Sequence, residues 1–247
     1  MIFNSHASVA VATYNGEKYI KEQLESILDD LRPGDEIVIS DDCSSDATRS
    51  IIDEFAANSH EVIVKVLDGP GLGVKKNFEN AIRNCSNEYI FLADQDDVWE
   101  ADKVERVMQA FVKNKNAGVV MHDCRVTKED INDVIAPSFF NYRGSRSGFV
   151  KNWIKNSYIG CCMAFKKELV PSIVPIPDDI EMHDQWIGML AEIMGYGVVF
   201  LPEVLLNYRR HGDNASKMTH YPLKKMITNR ITLYKRLKER ATELKRG

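Results

Sequence analysis

"YIFLADQDDVW", residues 89–99, is the stretch whose reading decides the fold. An apolar run, 89–93, breaks off into Asp94, Asp96 and Asp97 and resumes at Val98 and Trp99. A short apolar run bounded by a polar turn reads as a strand buried on both faces. Isolated carboxylates at the end of such a strand are costly unless something positive meets them. In open sheets of parallel strands, ligands bind just beyond the carboxyl ends. The stretch therefore predicts both a buried parallel strand and a charged site at its end.

The same pattern recurs along the first half. "ASVAVAT" (7–13), "EIVIS" (36–40), "VIVKVL" (62–67) and "GVVMH" (118–122) read as further strands. Between them Ile20, Leu24, Ile27, Leu28 and Leu31 form one helical stripe, and Val104, Val107, Met108, Phe111 and Val112 another. Alternating strands and helices predict an α/β fold, with a Rossmann-like, mostly parallel sheet flanked by helices and joined by right-handed crossovers. "ATYNG", "SDDCSSD" and "DQDD" then share one edge of the sheet. The second half is less regular. Residues 124–157 read as a loop-rich connection, "YIGCCMAF" (158–165) as a strand and "EMHDQWIGMLAEIMG" (181–195) as a helix. "GVVFLPEVLLNYRRH" (197–211) is strand-like, and a basic tail follows.

With 247 residues, 44% of them hydrophobic, the chain can bury the core of one large α/β domain. The five cysteines include no C-x-x-C pair, which fits a reducing compartment. No basic leader with a long apolar core begins the chain and no apolar run reaches membrane-spanning length, so a soluble cytoplasmic protein is expected. The net charge of −4 is unevenly placed: residues 217–247 carry +8 and the remainder −12. No nucleic-acid partner is expected; the tail alone suggests contact with something anionic.

Asp94 and Asp96 flank one residue in a turn, so their side chains can converge on a small volume. Hard oxygen ligands so placed suit Mg²⁺ or Mn²⁺, which keep water and substrate phosphates in the rest of their shell. An ordinary acidic loop is the plainer reading of D-x-D alone. "DQDDV" also fits the pattern of haloacid-dehalogenase-type, Mg²⁺-dependent phosphatases, whose nucleophilic Asp usually ends the first strand. Here three strands precede it.

A broader likeness spans nearly the whole chain. "SVAVATYNGEKYIKEQLESIL", "EIVISDDCSSDAT", "GLGVKKNFENAI", "YIFLADQDDVWEADKV", "HDQW" and "YRRHGDN" resemble, in this order, the motifs of a family 2 glycosyltransferase of the GT-A fold. The combination is similar to the branch that builds bacterial surface polysaccharides, rhamnosyltransferases included. The resemblance implies an inverting transfer of a sugar from a nucleoside diphosphate (UDP- or dTDP-linked) to a growing cell-surface glycan, free or lipid-linked. It divides the chain into a nucleotide-sugar half (1–120), an acceptor half of the same domain (121–216) and a tail (217–247). A GT-A-like scaffold that binds carbohydrate without turnover is the non-enzymatic alternative.

The resemblance also implies roles. Thr13, Tyr14 and Asn15 would cradle the nucleotide, although on composition they equally shape a turn. Of Asp41 and Asp42, which end the second strand, Asp42 is the better match to an acceptor for a pyrimidine N3–H. Lys76 and Asn77 would lie near base or phosphates, and Gln95 would share ribose contacts with Asp94. Asp96 is expected to hold Mg²⁺ or Mn²⁺ directly, with Asp94 as a second ligand and His211 completing the shell or meeting phosphate. Arg209 and Arg210 are expected on the diphosphate. Asp184 would be the general base, with a helix N-cap as its bland reading. His183 and Trp186 would line the acceptor or donor-sugar pocket.

The tail repeats Leu223, Met226, Ile227, Ile231, Tyr234, Leu237, Ala241 and Leu244 at helical spacing, with lysines and arginines on its other faces. This predicts an amphipathic helix over 222–247. It is suited either to peripheral contact with an anionic membrane at the inner face of the cell membrane, or to packing on the body or a second subunit.

Overall fold

The computed structural model describes residues 5–212, 214 and 222–246. The first half runs β1 (Ala7–Thr13), α1 (Ile20–Leu28), β2 (Glu36–Asp41), α2 (Thr48–Asn58), β3 (Ile63–Asp68), α3 (Val74–Arg83), β4 (Tyr89–Ala93), β5 (Val98–Trp99) and α4 (Lys103–Lys113). The second runs β6 (Ala117–Thr127), β7 (Val134–Ala136), α5 (Phe139–Arg143), α6 (Phe149–Ile154), β8 (Met163–Lys166), α7 (Val170–Ile173), α8 (His183–Ile193), β9 (Gly197–Arg209) and α9 (Leu223–Leu244). The strands form one sheet in the order β3-β2-β1-β4-β8-β6-β9-β5, with β7 on the side of β6.

β1 to β4 are mutually parallel, as buried apolar runs joined by helices require. β8 enters antiparallel between β4 and β6, and β9 pairs parallel with β6. Residue 120 lies inside β6, so the two halves share one sheet and one core. β1 and β2 are buried along their whole length, whereas the edge strand β3 is half-exposed.

Two expectations from the sequence are corrected. Only 163–166 of the run 158–165 and its neighbour forms a strand; Gly160–Cys162 is a tight 3₁₀ turn under the start of α8. A Cβ on Gly160 would stand 3.0 Å from His183 Nε2, so the close approach of this turn to His183 favours glycine. The connection 124–157 is also more ordered than its composition suggests, carrying the end of β6, then β7, α5 and α6. Pro202 sits inside β9 without breaking it. The β6 ladder slips there, passing from His122 opposite Leu201 to Asp123 opposite Val204, and so the missing donor is not needed.

Helix α9 is the predicted amphipathic tail, but its stripe is divided. Leu233 and Leu237 are buried in the common core, while Leu223, Ile227, Ile231 and Tyr234 are exposed. Arg240 donates to the Ser172 and Pro175 carbonyls, and Arg236 pairs with Asp179 at 2.8 Å. The helix is thus part of the folded body. Leu237→Ala should lower unfolding stability by about 2–4 kcal/mol, the range for truncating a fully buried leucine. Urea unfolding checks this, and a change within error would mean that α9 is not docked in solution.

Candidate active site

The parallel register aligns the strand ends. Thr13 stands opposite Asp41, Asp41 opposite Asp68, and Val11 opposite Ala93. The residues that follow, Tyr14, Asp42 and Asp94–Asp96, therefore emerge along one edge and line a cleft of about 620 Å³. Gly160, Met182, His183 and Asp184 form its far wall, and Tyr208 and Asn214 also line it.

On the nucleotide side, the structure separates neighbours that composition could not. Asp41 turns inward, accepting from Thr13 Oγ1 at 2.9 Å and Ser44 Oγ at 2.5 Å. Asp42 faces the cleft and accepts from the backbone N–H groups of Gly71 and Gly73, each at 2.7 Å. Those glycines adopt φ of 67° and 85°, which lets the loop fold over the carboxylate. Asn77 donates to the Thr13 and Ser40 carbonyls and so clamps the ends of β1 and β2. Gln95 bonds Tyr14 through both its amide atoms, tying the first turn to the acidic turn. A Cβ on Gly16 would meet that amide at 2.5 Å. Tyr14 itself is 57% exposed at the cleft mouth, whereas Asn15 accepts from Ser45 N and organises the neighbouring turn.

The acidic turn is gripped from below. Gln23 donates to the Asp94 carbonyl, and Arg209 donates its Nε to the Asp96 carbonyl and its backbone N–H to Asp97 Oδ1. Burial pushes the Asp94 carboxyl up to about 7; Asp96 and Asp184 add to this, and Lys103 opposes it. Burial also raises the Asp97 carboxyl well above the usual range. Beneath lies Lys103, fully buried, 3.8 Å from the Trp99 ring centre and donating to the Cys161 carbonyl at 3.1 Å. Burial pushes its ammonium down to about 8. The sequence reading overlooked Lys103, though it had a signal: the residue precedes Val107 and Phe111 by one and two helical turns, on the buried stripe.

Asp96 is held by His211 Nε2 at 2.8 Å and Asn214 Nδ2 at 3.1 Å. Asp94 and Asp96, with an imidazole at hand, are donors of the kind that suit Mg²⁺ or Mn²⁺. Among the described residues, Asp94, Asp97 and Cys161 also bring donor atoms within 4.8 Å of one another. Burial raises the Cys161 thiol well above its usual range, so it offers a neutral S–H. Neither Cys161 nor Asp97 lines the cleft. The cleft-facing pair is the better fit for a hard cation.

On the far wall, Asp184 lies in the first turn of α8, is buried, and accepts from Gln185 N at 2.5 Å. Burial pushes its carboxyl up to about 7 against the pull of the Gln185 and Gly160 N–H groups. His183 is buried, stacks on Phe78 at 4.2 Å, and has no hydrogen-bond partner for either ring nitrogen. Burial, then Lys75, pushes it down to about 3, leaving the ring neutral.

Seven expected site residues do not line the cleft: Asn15, Asp41 and His211, whose contacts are given above, and Lys76, Trp186, Arg209 and Arg210. Lys76 turns away to Glu79, Asp178 and the Ile176 carbonyl. Trp186 is wholly buried behind α8, donating to the Ile173 carbonyl with Arg240 over its face. Arg209 is consumed by the acidic turn, Glu22 and the Glu129 carbonyl. Arg210 donates to Tyr208 Oη, and it is Tyr208 that reaches the cleft.

A mostly parallel sheet whose strand ends present an acidic turn, with a buried carboxylate lining the same cleft, has the architecture of a GT-A transferase. Residues 8–174 match the model for Glycosyl transferase family 2, and the chain belongs to that family. It is 29% identical over 220 residues to the dTDP-rhamnosyl transferase RfbG of Shigella flexneri, covering 83% of this chain and 72% of that one. It is 24% identical over 216 residues to the putative teichuronic acid biosynthesis glycosyltransferase TuaG of Bacillus subtilis, covering 85% and 81%. Among solved structures, the mannosyltransferase PcManGT of Pyrobaculum calidifontis, in complex with GDP-Man and Mn²⁺, superposes with a TM-score of 0.68. It is 24% identical and the match covers 83% of this chain and 57% of that one. S. aureus TarS 1-349 in complex with UDP gives 0.62 at 22% identity, covering 83% and 60%. The chain thus spans under two thirds of the solved chains it matches, and the likeness to them is one of fold.

Because folding raises the Asp184 carboxyl from 3.8 to about 7, ionising it costs stability. The cost is absent below about pH 4 and complete above about pH 7. Asp184→Asn should therefore be more stable than the parent above about pH 8, by on the order of 4 kcal/mol, and match it to within about 1 kcal/mol near pH 4. Urea unfolding at the two pH values measures this, and an equal or less stable variant at high pH would contradict it.

Proposed function

We propose that this glycosyltransferase moves a sugar, with inversion, from a UDP- or dTDP-linked donor to a growing surface glycan, with Asp184 as general base. The observation that carries the reading is Asp184 itself, a buried carboxyl poised near neutrality in the wall facing the acidic turn. A base with that affinity for a proton suits catalysis near neutral pH. The likeness to a dTDP-rhamnosyl transferase and to a teichuronic acid enzyme supports the donor and acceptor classes.

In this reading Tyr14 covers the base, and each Asp42 oxygen keeps a second lone pair for a pyrimidine N3–H. Asp94, Asp96 and His211 would hold Mg²⁺ or Mn²⁺, which supplies positive charge against the negative charge developing on the departing nucleoside diphosphate. Asp184 accepts the proton of the acceptor hydroxyl while its oxygen attacks the anomeric carbon. The bond to the diphosphate breaks on the opposite face, so the product is inverted. His183, neutral and unpartnered, offers a donor and an acceptor to a sugar hydroxyl. Lipid-linked glycan is the favoured acceptor form. It would bring the enzyme to the inner face of the cell membrane through 222–247, and a cytoplasmic location fits the free cysteines. No helix among the described residues is long and apolar enough to cross a membrane.

The deciding experiment incubates dTDP- and UDP-sugars with acceptor glycan and Mn²⁺, reading glycosidic bond, free phosphate and anomeric configuration by NMR. An inverted glycoside is expected; free phosphate alone, or a retained configuration, defeats the reading. Asp184→Asn should leave donor affinity within a few-fold while kcat falls by about two to four orders of magnitude. The parent's kcat/KM should rise with pH through an apparent pKa near 7, as Asp184 loses its proton. Asp96→Asn should lose Mn²⁺-dependent donor binding, seen by calorimetry, because an amide is a poor ligand for a hard cation. Undiminished transfer in excess chelator would exclude the metal role.

A further inference from the structure

Two segments far apart in sequence meet on the surface beside the acceptor side of the cleft. The Trp153 indole donates to the Arg230 carbonyl at 3.0 Å, and the Arg230 guanidinium donates back to the Ile154 carbonyl. Trp153 also lies 6.0 Å, ring to ring, from Tyr234. These contacts set α6 alongside α9.

Both helices expose large apolar side chains on their outward sides, among lysines on α9. Val150 and Ile154, one turn apart on α6, are 64% and 55% exposed; Ile227 and Ile231, one turn apart on α9, are 48% and 60% exposed. Around them basic residues outnumber acidic ones, although Glu192 accepts from Gly148 N at the start of α6 and Glu181 from Asn229 on α9. Residues 139–155 contain Arg143, Arg146, Lys151 and Lys155 and no acid. Residues 222–246 carry nine Lys or Arg against Glu239 and Glu243. Successive residues turn by 100° on a helix, which places Lys224 and Lys238 in the same sector as Ile227 and Ile231, away from both glutamates. The inward arginines, Arg236 and Arg240, are already occupied by Asp179, Glu239, Glu243 and backbone carbonyls.

We propose that the joint outer face of α6 and α9 is a docking surface for an anionic lipid bilayer. Exposed isoleucine and valine flanked by lysine and arginine match an interface of acyl chain and anionic headgroup. A second copy of the chain is a poor occupant, because a two-fold contact would set one basic face against another. The placement also serves the site. Gln185, next to Asp184, donates to the Asn152 carbonyl of α6 at 2.9 Å. The inner side of α6 is thus tied to the residue that follows the base, while its outer side carries Val150 and Ile154. This deepens the lipid-linked acceptor reading, and the surface it names includes α6, which the charge of the tail alone would not have selected.

The test is co-sedimentation of the full chain with vesicles of phosphatidylcholine alone, or of phosphatidylcholine and phosphatidylglycerol in equal parts, across a salt series. Binding is expected only to the anionic vesicles and should weaken as salt rises. Ile227→Ser with Ile231→Ser, and separately Val150→Ser with Ile154→Ser, should each weaken binding by about tenfold or more. Because all four side chains are exposed, thermal melting should show each variant folded, and hydrolysis of the donor by water should match the parent. Unchanged binding by the α6 variant would overturn the joint face, as would a parent that ignores anionic vesicles. A parent that sediments as a dimer, and becomes monomeric in either variant, would reassign the face to self-association. Should vesicles bind while no glycoside forms on any acceptor, the proposed reaction fails and the surface stands.

Discussion

Everything at the cleft depends on keeping the carboxylates of one turn, Asp94 to Asp97, at the end of a buried strand. Unsatisfied, such a cluster would be expelled to solvent or neutralised. The fold meets it on three sides. Lys103 lies beneath, Arg209 grips the turn through backbone and guanidinium, and His211 with Asn214 holds Asp96. This answers only part of the charge. Asp94 remains near neutrality in its affinity for a proton, and Asp97 Oδ2 has no hydrogen-bond partner. A turn left short of positive charge is the state in which an arriving cation and diphosphate make the greatest difference.

That constraint explains the mixed sheet. β5 and β9 pair antiparallel next to the acidic turn, and β9 ends at Arg209, the residue that clamps it. The basic sequence "YRRH" looks built for phosphate, yet its best-placed guanidinium is spent inside the protein. Asp184 illustrates the same economy. A helix N-terminus favours an anion, and two N–H groups point at it, but burial outweighs both and leaves a carboxyl able to hold or release a proton near neutrality.

What the sequence determined was what periodicity and strand-end chemistry carry. The strands of the first half were legible because each is a buried apolar run that stops at a turn, and parallel pairing then forces Tyr14, Asp42 and Asp94 to one edge. The helix of the tail was legible from three- and four-residue spacing. The order of the six motifs was enough to identify the family.

Only the tertiary structure decided which of two adjacent residues faces the cleft. Asp41 and Asp42 are chemically identical, and their roles diverge because Ser44 captures one and a glycine loop the other. Lys76, Trp186 and Arg209 carry the right chemistry for a site but turn away, each toward an acid or carbonyl brought near by a distant segment. Likewise α9 has a single stripe in sequence, and packing on α8 splits it into a buried half at Leu233 and Leu237 and an exposed half at Ile227 and Ile231. Side-chain type and spacing are local properties. The direction in which a side chain points is settled by the partners that folding brings to it, from three residues away for Asp41 to more than a hundred for Lys76 and Arg209, and side-chain type and spacing do not record that choice.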